Sequence, residues 1–93
     1  MVHHIVLYKL KPEVTPARVE EMMMNARMQL LKIPEVHSIK CGKRIDSNMP
    51  WPFFIALDFE SMDKYALFRE DSIFVKFDAE IIKPNISESL VLD

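Results

Sequence analysis

The stretch Val2-His-His-Ile-Val-Leu-Tyr-Lys-Leu-Lys11 decides the fold class of this chain. It is rich in β-branched and aromatic residues and contains neither glycine nor proline, which predicts a β-strand. Because side chains alternate between the two faces of a strand, His4 and Tyr8 share one face and His3 lies on the other. The segment from Ile5 to Tyr8 is apolar on both faces, so we expect both sides of the sheet to be covered.

The rest of the chain predicts a long helix, two more strands, a divided helical segment and a closing strand. Thr15 followed by Pro16 is typical of a helix start, and apolar residues at three-to-four spacing predict a helix over 16–33 that Pro34 stops. The further expected elements are strands Val36–Ile45 and Phe53–Glu60, helical pieces from Ser61 to Lys83 interrupted at Asp71 and Ser72, and a strand Glu88–Asp93. This β-α-β-β-α-β order predicts an α+β, ferredoxin-like fold, with a four-stranded antiparallel sheet and its helices on one face.

Composition excludes several classes of protein. The 93 residues are expected to form one domain, 1–93, and a net charge of -2 argues against a nucleic-acid partner. No apolar run approaches the roughly 20 residues that cross a bilayer, and the N-terminus lacks a signal-peptide pattern, so we expect no membrane partner and a cytoplasmic location. A single cysteine, Cys41, excludes an internal disulfide and a multi-cysteine metal site, and we expect no metal and no cofactor.

The supply of large apolar side chains predicts self-association. Seven methionines, six phenylalanines, one tryptophan and two tyrosines are many for a domain of this size. A chain of this length buries only about 60–65% of the surface that its unfolded state exposes. Surplus apolar surface is commonly buried against a partner subunit, so we expect a homodimer.

Four stretches, in order along the chain, resemble the stress-responsive A/B barrel (Dabb) domain. They are His3–Thr15, Ile33–Gly42, Phe54–Ser61, and Phe77–Pro84 together with Ser89–Asp93. The resemblance covers essentially the whole chain. It implies a homodimer in which two sheets face each other and close a β-barrel, with the helices outside.

The chain departs from the family where its catalytic members carry their chemistry. Family members commonly have a His-Pro-x-His motif within the second helical segment, and the aligned residues here are Asp71-Ser-Ile-Phe74. In the polyketide-cyclase member, catalysis uses the second of those histidines and a tyrosine on the preceding helix; their counterparts here are Phe74 and Phe68. A pocket histidine of the first strand is matched by His4, whereas another falls at Phe53. Because phenylalanine cannot transfer a proton, the cyclase machinery does not carry over.

Two functions therefore remain open. The first is a Dabb homodimer that is non-catalytic or binds a small apolar ligand. The alternative is a small-molecule enzyme, cyclase-like or cofactor-free oxygenase-like, with His4 and Tyr8 as candidate catalytic residues, although a structural histidine near the barrel rim is the more common role for a residue like His4. The expected ligand-pocket residues are Phe53, Phe68 and Phe74, with Trp51 between two prolines at a pocket mouth or at the end of the barrel. RNA binding shares the element order but is disfavoured by the slightly acidic charge.

Overall fold

The computed structural model describes residues 1–92, which form a four-stranded antiparallel sheet and a layer of helices. The elements are β1 (Val2–Leu10), α1 (Pro16–Leu30), β2 (Ser38–Lys43), β3 (Phe53–Phe59), α2 (Met62–Glu70), α3 (Ser72–Phe77), a π-helix (Asp78–Ile82) and β4 (Ile86–Leu92). The strand order in the sheet is β2-β3-β1-β4. The predicted α+β, ferredoxin-like fold is confirmed.

The first helix is shorter than the sequence pattern predicts. The Thr15 hydroxyl accepts a hydrogen bond from the Arg18 amide at 3.2 Å and caps the helix as expected. The helix ends at Leu30 rather than at Ile33, because the ring of Pro34 would clash with the carbonyl four residues earlier. The chain continues in tight turns, and Ile33 stays buried in the core. Among the described residues, no helix combines the length and the apolar character that crossing a membrane requires.

Pairing within the sheet, rather than composition, sets the ends of the strands. The expected strand 36–45 is regular only over Ser38–Lys43, because its single neighbour β3 offers partners from Asp58 to Phe53. Strand β4 begins earlier than expected, at Ile86, because a bulge in its pairing with β1 extends the ladder. Its predicted last residue, Asp93, lies outside the described residues.

One face of the sheet carries the core. Alternate residues of β1 and β3 point to the helices and are buried, among them Val6, Tyr8, Ile55 and Leu57. The helices contribute the other side of this core with Val19, Met22, Met23, Ala26, Leu30, Phe68, Phe77 and Ile82. The core therefore lies between the sheet and the helical layer.

The opposite face, here called the open face, has an apolar centre. It consists of Ile5, Leu7, Phe54, Ala56, Leu90 and Leu92, which the strand register places side by side. Leu90 and Leu92 are 41% and 46% exposed. Among the described residues of one chain, the open face is thus an apolar surface that is partly exposed to solvent.

The second helical segment is divided at Asp71, as predicted. Asp71 has an extended backbone, and its carboxylate accepts a hydrogen bond from the Ile73 amide at 2.8 Å, which starts α3. After α3 the helix widens, and the Lys83 amide bonds to the Asp78 carbonyl five residues earlier, at 2.9 Å. Such π-helical turns often occur at functional sites because they change which side chains face inward.

Candidate ligand cavity

A cavity of about 310 Å³ lies between the core face of the sheet and the segment formed by α3 and the π-helix. Its walls are mainly apolar and include Val6, Ile55, Leu57, Phe77, Ile82 and Val91. Volumes from about 300 Å³ upward and apolar walls with a few polar groups are typical of sites that bind small molecules. Two of its polar residues, His4 and Tyr8, lie towards opposite ends of the same face of β1.

The first polar end of the cavity is at His4. Its side chain is buried, with 8% exposure, and its ring centroid lies 5.0 Å from that of Tyr65 on α2. The Tyr65 hydroxyl accepts a hydrogen bond from the Arg69 guanidinium at 3.0 Å, and Arg69 itself lines the cavity. The spacing of Tyr65 and Arg69 by one helical turn brings both side chains to this end.

The second polar end of the cavity is at Tyr8. Tyr8 lies four positions after His4, which corresponds to about 13 Å along the strand. Burial raises the pKa of the Tyr8 phenol well above its ordinary value, and the nearby charge of Asp78 adds to the increase. The phenol is therefore neutral at physiological pH. Asp78 and Lys83 also line this end, and the Lys83 ammonium lies 3.7 Å from the Asp78 carboxylate.

The structure brings three of the residues expected from the sequence to the cavity wall and places two behind it. His4, Tyr8 and Phe74 line the cavity. Phe53 is fully buried and stacks against Tyr8 with 5.5 Å between ring centroids. Phe68 is fully buried behind Phe74, at 4.4 Å between ring centroids. Phe53 and Phe68 thus support the wall instead of presenting surface to a ligand.

Trp51 lies away from the cavity. Its ring is 4.9 Å from the ammonium group of Lys9, whose side chain points to the open face because Lys9 follows Tyr8 on β1. Lys9 also pairs with Glu88 at 3.2 Å. The structure therefore places Trp51 at the margin of the open face and not at the mouth of this pocket.

Sequence reasoning missed the charged residues of the cavity. Arg69, Asp78 and Lys83 line it, although charged residues in this helical segment are usually solvated. The spacing of Arg69 from Tyr65 is a usable signal, since residues one turn apart share a helix face. Asp78 follows the cavity-lining Phe74 by one helical turn, so it shares the same helix face and has the same kind of signal. Lys83 follows the π-helix, which the apolar periodicity does not predict.

Other reactive side chains show no organised chemistry in the part of the chain that the structure describes. Residues 1–92 contain no group of three or more His, Cys, Asp and Glu side chains placed to hold a metal ion. Burial raises the pKa of the Cys41 thiol, which donates to the Met23 carbonyl at 3.5 Å. A thiol held in its protonated form is a poor nucleophile.

Fold and cavity together define a ferredoxin-like α+β domain with a pocket between its sheet and its second helical segment. The family model of the stress responsive A/B barrel (Dabb) domain matches residues 2–93, and the chain belongs to that family. No functionally curated protein matches the sequence significantly.

Solved structures agree with the family in fold. A protein from Arabidopsis thaliana is 24% identical, with a TM-score of 0.87 over 100% of this chain and 92% of the other. A dimeric ferredoxin-like protein of unknown function from Thermobifida fusca is 21% identical, with a TM-score of 0.85 over 97% of this chain and 85% of the other. A hydroxynitrile lyase from Passiflora edulis is 18% identical, with a TM-score of 0.83 over 97% and 87%. At these identities the similarity shows a shared fold.

Proposed function

We propose that this chain acts as a homodimer that holds a small, mainly apolar ligand in the cavity beneath α3. The observation that carries the proposal is the cavity of about 310 Å³, with apolar walls and a polar group at each end. Such a pocket gains affinity from apolar contact and orientation from its few polar groups.

The open face supports the homodimer. Its apolar centre includes Leu90 and Leu92, which are nearly half exposed in one chain. A second copy of the same sheet covers this surface when the two open faces pack together, as sheets do at about 10 Å separation. The Thermobifida fusca protein of the same fold is described as dimeric.

Binding without cyclase chemistry is supported by the residues of the cavity itself. Phe74 lines the wall where a family histidine would stand, and Phe68 is buried behind it. The raised pKa of Tyr8 prevents its phenol from acting as a base at neutral pH. These three residues favour a pocket that holds a molecule over one that abstracts a proton from it.

A cavity-blocking substitution tests the ligand function. Val91 lines the cavity from the edge strand and is 49% exposed, so Val91→Trp has room to adjust while its ring enters the cavity. Val75→Trp is the matched control, since Val75 is 52% exposed on α3 outside this cavity. We expect propylbenzene to shift the methyl resonances of Val6 and Ile55 saturably in the wild-type protein and in Val75→Trp, but not in Val91→Trp. Equal shifts in both variants would contradict the proposal, as would no saturable shift in the wild type.

The second candidate is a small-molecule enzyme, and the position of His4 is the observation that favours it. An imidazole on the wall of an apolar cavity is within reach of a bound molecule and can donate or accept a proton. The Passiflora edulis protein, which has the same fold, is described as a hydroxynitrile lyase. If native mass spectrometry identifies a ligand and the wild-type protein converts it, His4→Ala should abolish turnover while Cys41→Ala should not.

The location and further partners of the chain remain predictions. A cytoplasmic location and the lack of a nucleic-acid partner rest on the sequence pattern and on its net charge of -2. A filter-binding titration with single-stranded RNA at low salt tests the predicted lack of a nucleic-acid partner. Saturable binding that weakens steeply with salt would contradict it.

A further inference from the structure

The hydroxyl group of Tyr8 has no hydrogen-bond partner among the described residues. Tyr8 is 8% exposed, lines the cavity, and packs its ring on Phe53. Within residues 1–92 the Tyr8 hydroxyl makes no hydrogen bond, yet it is not one of the fully buried, unpaired side-chain atoms. Because Tyr8 lines the cavity, water or a bound molecule can reach this hydroxyl and take its hydrogen bonds. A molecule bound in the cavity is well placed to supply that partner.

Asp78 gives this end of the cavity an acceptor. Asp78 is the first residue of the π-helix and lines the same cavity as Tyr8. Its charge acts on Tyr8, since it contributes to the raised pKa of the phenol. Lys83 balances part of this charge from 3.7 Å, with its ammonium group largely exposed. A carboxylate only accepts hydrogen bonds, so Asp78 selects for a group that donates.

The two side chains make opposite demands on a ligand. The neutral Tyr8 phenol has a proton to donate and favours an acceptor, whereas Asp78 favours a donor. A hydroxyl group meets both demands at a single oxygen. A carboxylate has no proton to give and would face the charge of Asp78 in an apolar site. An ammonium group would bring a charge into a mainly apolar cavity and would leave the Tyr8 proton without an acceptor.

We propose that the Tyr8 end of the cavity binds the hydroxyl group of an uncharged, mainly apolar alcohol or phenol. Tyr8 donates to the hydroxyl oxygen, and the hydroxyl proton is donated to Asp78. The apolar body lies along Val6, Ile55 and Leu57, towards His4. This inference rests on the proposed ligand-binding function and adds the chemical class of the ligand.

Three probes that share a propylphenyl group and differ in one polar substituent test the ligand class. They are propylbenzene, 4-propylphenol and 4-propylbenzoate, each titrated by calorimetry or by chemical-shift changes into the full chain. The quantity that decides is the affinity for 4-propylphenol divided by the affinity for propylbenzene. Tyr8→Phe and Asp78→Ala should each lower this ratio about tenfold, which corresponds to the loss of one hydrogen bond to a buried group. The benzoate should bind the wild-type protein most weakly of the three.

Tyr65→Phe is the matched control for the loss of a phenol hydroxyl. The Tyr65 hydroxyl accepts a hydrogen bond from Arg69 near the His4 end, so its removal should leave the ratio within about twofold of wild type. Thermal unfolding of each variant checks that the fold is retained, and Tyr8→Phe changes no carbon atom of the core.

The outcomes separate this inference from the function on which it rests. A ratio that Tyr8→Phe and Asp78→Ala leave unchanged, while propylbenzene still binds, would overturn the hydroxyl site alone. Tightest binding of the benzoate would overturn it as well and would point to a cationic site. If the wild-type protein binds none of the three probes, the ligand-binding function fails and this inference fails with it.

Discussion

The imidazole of His3 and the carboxylate of Asp58 form a pair across β1 and β3, with 2.5 Å between Nδ1 and Oδ1. The other carboxylate oxygen accepts a hydrogen bond from the Ser38 hydroxyl on β2 at 2.6 Å. A single carboxylate thus ties together three neighbouring strands at one end of the open face. The hydrogen bond from Ser38, followed by the one from His3, lowers the pKa of Asp58 below its ordinary value.

The lowered pKa of Asp58 predicts a loss of stability in acid. A carboxyl group whose pKa is lower in the folded than in the unfolded state stabilises the protein above the unfolded pKa, and this contribution disappears as the pH falls through the folded pKa. We expect the free energy of unfolding of the wild-type protein to fall more than that of Asp58→Asn between about pH 6 and about pH 3. Since the side chain is 35% exposed, the difference should stay below about 1 kcal/mol. Parallel curves for the two proteins over this range, measured by urea titration, would contradict the assignment.

The raised pKa of Tyr8 predicts the opposite behaviour in alkali. A group whose folded pKa lies above its unfolded value, here 10.0, stabilises the protein below that value and loses the contribution as the pH rises beyond it. Wild-type stability should therefore decline more steeply than that of Tyr8→Phe above about pH 10. The measurement is thermal unfolding in a pH series, with Tyr65→Phe as the control for the removal of a phenol hydroxyl at a more exposed position. An equal decline in wild type and Tyr8→Phe would show that Tyr8 titrates normally.

Gly42 is required by the ring of Phe54. A Cβ atom at Gly42 would lie 2.7 Å from Cε1 of Phe54, which is closer than van der Waals contact allows. Gly42→Ala should cost about 1–3 kcal/mol of folding free energy, as overpacking does. Lys40→Ala, on the same exposed face of β2, is the control and should change stability by less than about 0.5 kcal/mol. The double change Gly42→Ala with Phe54→Leu should recover part of the loss; no recovery would show that the ring is not the cause.

Phe68 supports the cavity wall, so truncation of its side chain should destabilise the fold strongly. It is fully buried, with ring centroids of Phe59 and Phe74 at 5.0 and 4.4 Å. Phe68→Ala should destabilise the fold by about 3–5 kcal/mol. The neighbouring Leu67 is 56% exposed, so Leu67→Ala should cost less than about 1 kcal/mol in the same denaturation assay. Similar losses for the two variants would mean that Phe68 is not the packing centre of this segment.

The open face should tolerate a charge in one chain but not in a dimer. Ile5 lies at its centre, between Ala56 and Leu92, and is only half-buried in a single chain. Ile5→Lys should therefore fold and yet shift the population from dimer to monomer, because a buried unpaired charge is strongly unfavourable at an interface. Val75→Lys adds the same charge on an exposed part of α3 and should remain dimeric. Light scattering that finds Ile5→Lys as dimeric as Val75→Lys would contradict dimerisation through this face.

Much of the fold could be predicted from the sequence because local signals and long-range pairing agree. The alternation of β1, the Thr15-Pro16 helix start and the stop at Pro34 each have one local physical cause. The sheet face that carries His4 and Tyr8 followed from strand parity alone. Strand ends were predicted less well, since Ser38–Lys43 and Ile86–Leu92 are set by partners distant in sequence.

The cavity could be predicted only in part. His4 and Tyr8 were assigned to one strand face from alternation, and the structure brings both to the cavity together with Phe74. Whether an aromatic ring lines a cavity or supports its wall depends on packing across elements, which separates Phe74 from Phe68 and Phe53. Asp78 lies one helical turn after Phe74 and could have been assigned to the same face from this spacing. Lys83 follows a π-helix, for which the chain has no periodic signal.

Native mass spectrometry of the protein, as purified and after incubation with 4-propylphenol, reports the assembly and the occupancy of the cavity together. We expect a dimer that retains up to one ligand mass per chain, and the retained mass should be absent in Val91→Trp but present in Val75→Trp. A strict monomer would contradict the assembly, and a dimer that never carries a ligand mass would contradict the function of the cavity.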